Sequence, residues 1–87
     1  MNNLSLHFVS DPGHGWLLID KEDLAKFGLT RKDFSNYSYR QNDMLALEED
    51  CDAGIAIEAI KKAGYEIYFK EQHSDDDCFV RSWRPMH

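Results

Sequence analysis

Two loops of the sequence carry side chains that could bind a ligand or a metal ion. The stretch SDPGHGW, residues 10–16, places Asp11 and His14 among glycines and a proline, and His73 and Ser74 precede the acidic run of residues 75–77. Imidazole and carboxylate groups can hold a divalent ion or a polar ligand when the fold brings them together. We therefore predict Asp11, His14 and His73 as one candidate ligand site, provided that both loops lie at the same end of a sheet.

The DPGHG stretch also has a purely conformational explanation. Pro12 presets φ at the second position of a turn, and Gly13 can supply the positive φ that a type II turn needs at the third. A hairpin turn then accounts for each residue except His14. The sequence has no HxxxH, HxH or CxxC spacing and no phosphate-binding glycine motif. We therefore predict no cofactor and no metal, and the three-residue ligand site stays open as an alternative.

The strands that must position these loops follow from the hydrophobic pattern. Period-two alternation and short apolar runs predict strands at 4–10, 16–20, 37–40, 44–49, 65–73 and 78–84. Pro and Gly between the first two strands predict a hairpin, and Asn42 and Asp43 suit the tight turn of a second one. The run SDDD predicts the turn of a third hairpin, formed by the last two strands.

Two segments carry the signals of helices. Residues 21–27 follow Asp20, a good N-cap, and precede Gly28, a residue that commonly ends helices. Residues 48–64 begin with acids, end with two lysines and stop at Gly64, which complements the helix dipole. The predicted order is ββα-ββα-ββ. This is an α+β fold with one mostly antiparallel sheet and two helices packed on one face.

Length and composition predict a single domain over residues 1–87 with a thin core. The start of the chain lacks the pattern of a signal peptide, and no run approaches the length of a membrane span. Cys51 and Cys78 are too few for a disulfide framework, so we expect reduced thiols and a cytoplasmic protein. Acidic neighbours surround Cys51, which argues against a reactive thiolate. No nucleophile motif is present, so we expect a binding protein, and an enzyme that uses Asp11, His14 and His73 is the alternative.

The acidic residues occur in clusters. The chain has 16 Asp and Glu against 10 Lys and Arg, a net charge of −6 that disfavours nucleic acid and anionic membranes as partners. Helix starts and a hairpin turn explain the clusters as solvated surface. They could instead form a face that contacts a basic protein. On that hypothesis the contact residues are Glu48, Glu49, Asp50, Asp52, Asp75, Asp76 and Asp77.

Two segments interleave aromatic and basic residues, at 37–40 and 81–84. Single-stranded nucleic acid could stack on such a segment, although packing within strands is the ordinary role of these aromatics. A single-stranded nucleic-acid binder is therefore a further alternative.

Several blocks of the sequence together resemble a known group of proteins. These blocks are FVSDPGHGWL at 8–17, YSYR at 37–40, LEEDCDAG at 47–54 and EQHS at 71–74, followed by an Arg-rich final segment. The chain is similar to small proteins carried by phages, prophages and plasmids, a group without an established activity. The resemblance implies mobile-element cargo in the cytoplasm of a bacterial host. Small acidic proteins in that setting often bind a host protein, including as inhibitors of restriction or CRISPR defence.

Overall fold

A computed structural model describes residues 2–87 of the chain. Its strands are β1 (Asn2–Ser10), β2 (Gly15–Asp20), β3 (Tyr39–Gln41), β4 (Met44–Glu48), β5 (Tyr65–His73) and β6 (Arg84–Pro85). Its α-helices are α1 (Lys21–Lys26) and α2 (Ala53–Lys62), and short 3₁₀ helices cover Arg31–Asp33 and Phe79–Ser82. The fold is α+β, with one mixed six-stranded sheet in the order β5-β1-β2-β4-β3-β6.

The local elements confirm several sequence predictions. The hairpins β1–β2 and β3–β4 are antiparallel pairs, and Asn42 takes a positive φ of 54° in the second turn. The Asp20 side chain caps α1 by accepting from Glu22 N–H at 2.8 Å. Gly28 and Gly64 adopt φ values of 77° and 89° directly after the two helix ends. The Gly28 and Leu29 amides donate to the last turn of α1, which ends the helix.

The prediction of a third hairpin is wrong. β5 pairs in parallel with β1, from Asn2↔Tyr65 to Ser10↔His73. α2 supplies the crossover connection that a parallel strand requires. The segment predicted as a strand at 78–84 is instead a 3₁₀ helix followed by the two-residue β6, which pairs with β3. Alternating hydrophobicity identifies a strand but does not specify its partner, so the parallel pair was missed.

Apolar side chains cover both faces of the sheet. On one face the buried residues of both helices, including Leu24 and Ile60, pack in one cluster with Leu17 and Leu47 of the central strands. On the other face Trp16 packs with Cys78 and Val80 of the C-terminal segment. β2 and β4 therefore have little polar surface of their own, because each is buried on both sides.

The glycines of the β1–β2 turn serve close packing. The prediction of a positive φ at Gly13 is wrong, since among residues 2–87 the glycines with positive φ are Gly28 and Gly64. A Cβ at Gly13 would lie 2.9 Å from Arg81 Nη2, and one at Gly15 would lie 2.6 Å from Phe8 Cζ. A Cβ at either position would therefore force the neighbouring side chain to move.

Candidate functional site

Three loops meet at the end of the sheet where β1, β4 and β5 terminate. These three strands run in the same direction, because β1 and β4 are both antiparallel to β2 and β5 is parallel to β1. Ser74 N–H donates to Ser10 O at 2.8 Å, and Glu49 N–H donates to Gly15 O at 3.0 Å. The loops at 11–14, 49–52 and 74–78 therefore lie side by side.

Asp11 organises the first of these loops from inside the protein. Its side chain is 1% exposed. Oδ1 accepts from the backbone N–H of Gly13 and of His14, both at 3.0 Å, which closes an Asx turn. Oδ2 accepts from Cys78 N–H at 2.9 Å. Asp11 thus fixes the backbone of His14 and at the same time anchors the C-terminal segment.

The charge of Asp11 is matched by Arg81, 70 residues later in the chain. The guanidinium makes a bidentate contact, with Nε 2.6 Å from Oδ2 and Nη2 2.9 Å from Oδ1. Arg81 holds the pKa of the Asp11 carboxyl well below its ordinary value, with help from Cys78 N–H. The guanidinium also lies 5.2 Å from the centre of the Trp16 ring, a cation–π distance.

The imidazole of His14 faces a buried carboxylate. His14 Nδ1 lies 3.3 Å from Glu48 Oε1, and the two side chains are 49% and 5% exposed. The ring is also tilted against Trp16, with the ring centres 6.0 Å apart. Trp16 is almost fully buried, and its indole Nε1 has no hydrogen-bond partner among residues 2–87. The His14 ring therefore lies at the surface, next to the buried Glu48 carboxylate and the Trp16 ring.

Glu48 is held in place by the turn that follows β4. Its Oε2 accepts from Asp50 N–H at 2.8 Å and from Cys51 N–H at 2.9 Å. Its backbone N–H donates to Ser38 Oγ at 2.9 Å. These contacts leave Oε1 directed at His14. The carboxylate is thus prepositioned, because rotating it would break both backbone hydrogen bonds.

Asp50 completes a cluster of three possible metal ligands. One ligand atom from each of His14, Glu48 and Asp50 lies within 4.8 Å of the other two. One imidazole nitrogen and two carboxylate oxygens form a donor set suited to a divalent cation. His14 and Asp50 are exposed while Glu48 is buried, so the cluster is open on one side.

The three residues predicted as a ligand site have different hydrogen-bond partners in the structure. Both carboxylate oxygens of Asp11 already accept internal hydrogen bonds, as described above. His73 Nδ1 lies 3.0 Å from Ser10 Oγ, and its Nε2 lies 3.8 Å from Asp75 Oδ1. His73 contacts neither Asp11 nor His14 through any hydrogen bond in residues 2–87, so His14 has Glu48 and Asp50 as its polar neighbours instead.

The acidic residues predicted as a contact surface divide into two groups. Glu48 and Asp52 are buried, and their carboxylates accept hydrogen bonds from within the protein. The exposed members are Glu49, Asp50, Asp75, Asp76 and Asp77. An open cavity of about 700 Å³ separates the loop at 11–13 from the loop at 75–77. The negative surface of this end therefore comes from five carboxylates rather than seven.

Asp52 connects the site to the segment before β3. Its carboxylate accepts from Ser35 N–H at 3.0 Å, from Ser35 Oγ at 2.8 Å and from Ser38 Oγ. Asp52 is the N-cap residue of α2, but its side chain does not cap the helix. The helix predicted from residue 48 begins at Ala53, because the preceding acids form a hydrogen-bonded turn.

Neither cysteine has the surroundings of a nucleophile. Cys51 is exposed and Cys78 is buried, and the two are not bonded to each other. Desolvation raises the pKa of the Cys51 thiol, and a hydrogen bond to Glu48 and the nearby carboxylates add to this. This agrees with the expectation that acidic neighbours oppose thiolate formation.

The two aromatic and basic segments are largely used in packing. Tyr39 packs edge-on against Trp16 at 6.1 Å, and Arg81 is paired with Asp11. Tyr37 is exposed, and Trp83 is half-buried. Trp83 contacts the exposed Phe79, with the ring centres 5.6 Å apart, and lines an open cavity together with Arg40 and Arg84. The nucleic-acid alternative therefore stays a prediction.

Sequence reasoning missed Glu48 as the neighbour of His14 and Arg81 as the partner of Asp11. The strand register places Glu48 opposite Trp16, and Trp16 follows His14 by two residues. A predicted pairing of β2 with β4 would therefore have suggested the contact between His14 and Glu48. The contact between Asp11 and Arg81 depends on the path of the C-terminal segment, for which the sequence carries no local signal.

Comparisons with protein-family models, with curated proteins and with solved structures found no match. Within residues 2–87, no helix combines the length and apolar character needed to cross a lipid bilayer.

Proposed function

We propose that this chain is a protein-binding module of a mobile genetic element, whose acidic end docks on a basic surface of a host or element protein. The supporting observation is that exposed carboxylates from two distant parts of the sequence, residues 49–50 and 75–77, share one end of the sheet. Complementary charge speeds encounter and selects partners. The resemblance to proteins of phages and plasmids supports the setting, a bacterial cytoplasm.

The surface between the loops suits a Lys or Arg side chain of the partner. Asp75, Asp76 and Asp77 line the open cavity beside Pro12 and Gly13. Arg81 also lines it, but its charge is balanced by the buried Asp11. The cavity therefore has net negative charge. An inhibitor of the anti-CRISPR or anti-restriction type would act in this way if it covered the basic surface with which a defence complex holds nucleic acid.

Affinity capture from bacterial lysate tests this proposal when matched charge variants are compared. The first variant carries Asp75→Asn, Asp76→Asn and Asp77→Asn. The control neutralises three exposed acids outside the acidic end, Glu22→Gln, Glu58→Gln and Glu66→Gln. Both variants therefore have the same net charge.

We expect the parent and the control to retain one stoichiometric partner, and the Asp75–Asp77 variant to lose it. Binding should also weaken as salt is raised, because exposed charges are screened. Equal retention of the partner by both variants would contradict the acidic end as the contact surface. Equal loss from both variants would show that net charge, rather than this surface, drives binding.

A further inference from the structure

The cluster of His14, Glu48 and Asp50 has the composition of a metal site. The sequence spacing gave no sign of it, because the three residues come from a loop, the end of β4 and the turn after it. We propose that these three side chains bind one divalent transition-metal ion of the zinc or manganese class, with water completing its coordination. This site shares Asp50 with the proposed docking surface but not Asp75, Asp76 or Asp77, so different variants test the two proposals.

Glu48 is the fixed ligand of the site. Its side chain is 5% exposed, and its Oε2 is engaged by the amides of Asp50 and Cys51. Oε1 contacts His14 Nδ1 at 3.3 Å, and a buried carboxylate oxygen needs such a partner. A bound cation would satisfy this oxygen more fully than a half-exposed imidazole does. The hydrogen bonds that Oε2 accepts orient the Glu48 carboxylate, as hydrogen bonds from neighbouring groups orient the ligands in known metal sites.

The other two ligands need only small movements. Ligand atoms held at about 2.1 Å by one tetrahedral ion lie about 3.4 Å apart. The three candidate atoms lie within 4.8 Å of one another, so closure requires shifts of at most about 1.4 Å, which the two exposed side chains can supply. The Asx turn at Asp11 fixes the backbone of His14, so the movement at His14 comes from rotation of its side chain.

The donor set and the local charge select the ion. One imidazole nitrogen favours zinc or manganese over magnesium or calcium, which prefer oxygen ligands alone. The two carboxylates neutralise the charge of a divalent ion. Glu49 and Asp52, which neighbour the ligands in sequence, add further negative potential. Three protein ligands leave at least one position open to water or to a group from a bound molecule.

Calorimetric titration of the purified full chain tests the site. The protein is made without a histidine tag, treated with a chelator and desalted, then titrated separately with Zn²⁺, Mn²⁺ and Mg²⁺. The test variants are His14→Gln and Asp50→Asn. The matched controls are His73→Gln and Asp76→Asn, which alter an exposed His and an exposed Asp of the same end. Glu48 is left intact because its carboxylate supports the turn, and circular dichroism checks that each variant is folded.

We expect the parent to bind one Zn²⁺ or Mn²⁺ per chain, and to bind Mg²⁺ at least tenfold more weakly. His14→Gln and Asp50→Asn should each weaken binding by at least tenfold, while the two controls stay within twofold of the parent. Absence of binding to the parent would overturn the proposal. Loss of binding in the His73→Gln control alone would also overturn it and would assign the ion to His73 and Asp75.

Discussion

Replacing Ser38 by Ala should destabilise the protein more than its small change in volume suggests. Ser38 is fully buried, and its hydroxyl donates to Asp52 while accepting from Glu48 N–H at 2.9 Å. The hydroxyl therefore joins the strand that ends in Glu48 to the residue that precedes α2. Alanine fills almost the same space but can make neither contact.

The expected loss of stability comes from the two groups that lose Ser38 as a hydrogen-bond partner, Glu48 N–H and the Asp52 carboxylate. The amide of Glu48 would be buried without an acceptor, which costs about 1–3 kcal/mol. Asp52 would keep its hydrogen bonds from Ser35 but lose a charge-assisted one, worth about 1.5–3 kcal/mol. Allowing for local relaxation, we expect Ser38→Ala to lower the free energy of unfolding by about 2–4 kcal/mol. For a domain of this size, that corresponds to a fall in Tm of about 10–25 °C.

Urea unfolding followed by circular dichroism measures this loss, and Ser35→Ala is the matched control. Ser35 also donates its hydroxyl to Asp52, at 2.8 Å, but it is half-buried and keeps its backbone hydrogen bond to the same carboxylate. Water can replace the lost contact, so the control should cost about 1 kcal/mol. If Ser38→Ala costs no more than Ser35→Ala, the buried network is not what holds the Glu48 turn in place.

Three further predictions concern other parts of the molecule. Because Arg81 holds the pKa of the Asp11 carboxyl below its ordinary value, that carboxylate contributes stability that is fully present above about pH 4 and is lost as the pH falls. The stability gap between the parent and Asp11→Asn, measured by urea unfolding, should therefore be widest at neutral pH and narrow in acid; a constant gap would contradict this origin. Gly15→Ala should cost about 1–3 kcal/mol, because a Cβ there would lie 2.6 Å from an aromatic carbon. Gly54→Ala on the open face of α2 should instead stabilise the protein by about 0.5–1 kcal/mol, and thermal melts that rank the two alike would refute the steric argument. Cys51, whose thiol pKa is raised, should react with iodoacetamide at neutral pH more slowly than a free cysteine does in a timed mass-spectrometric assay; a rate equal to or above that of free cysteine would contradict the raised pKa.

The elements that depend on neighbouring residues could be predicted from the sequence. Asp20 and Gly28 mark the two ends of α1 because capping involves residues within one turn of each other. Asn42 marks the turn of the β3–β4 hairpin because few residues other than Gly tolerate its positive φ. The α+β class followed from the same signals, since each periodic segment reports its own buried face.

The tertiary structure decided the pairings between distant segments and, with them, the candidate site. β5 lies parallel to β1 because α2 carries the chain across the sheet, and its alternating pattern would have fitted a hairpin equally well. Asp11 and Arg81 are 70 residues apart, and His14 and Glu48 are 34 apart. The sequence by itself determined that acidic residues cluster before α2. The tertiary structure decided that Glu48 is buried while its neighbours Glu49 and Asp50 are exposed. Charge is a property of the residue, but its partners and exposure depend on which segments pack against it.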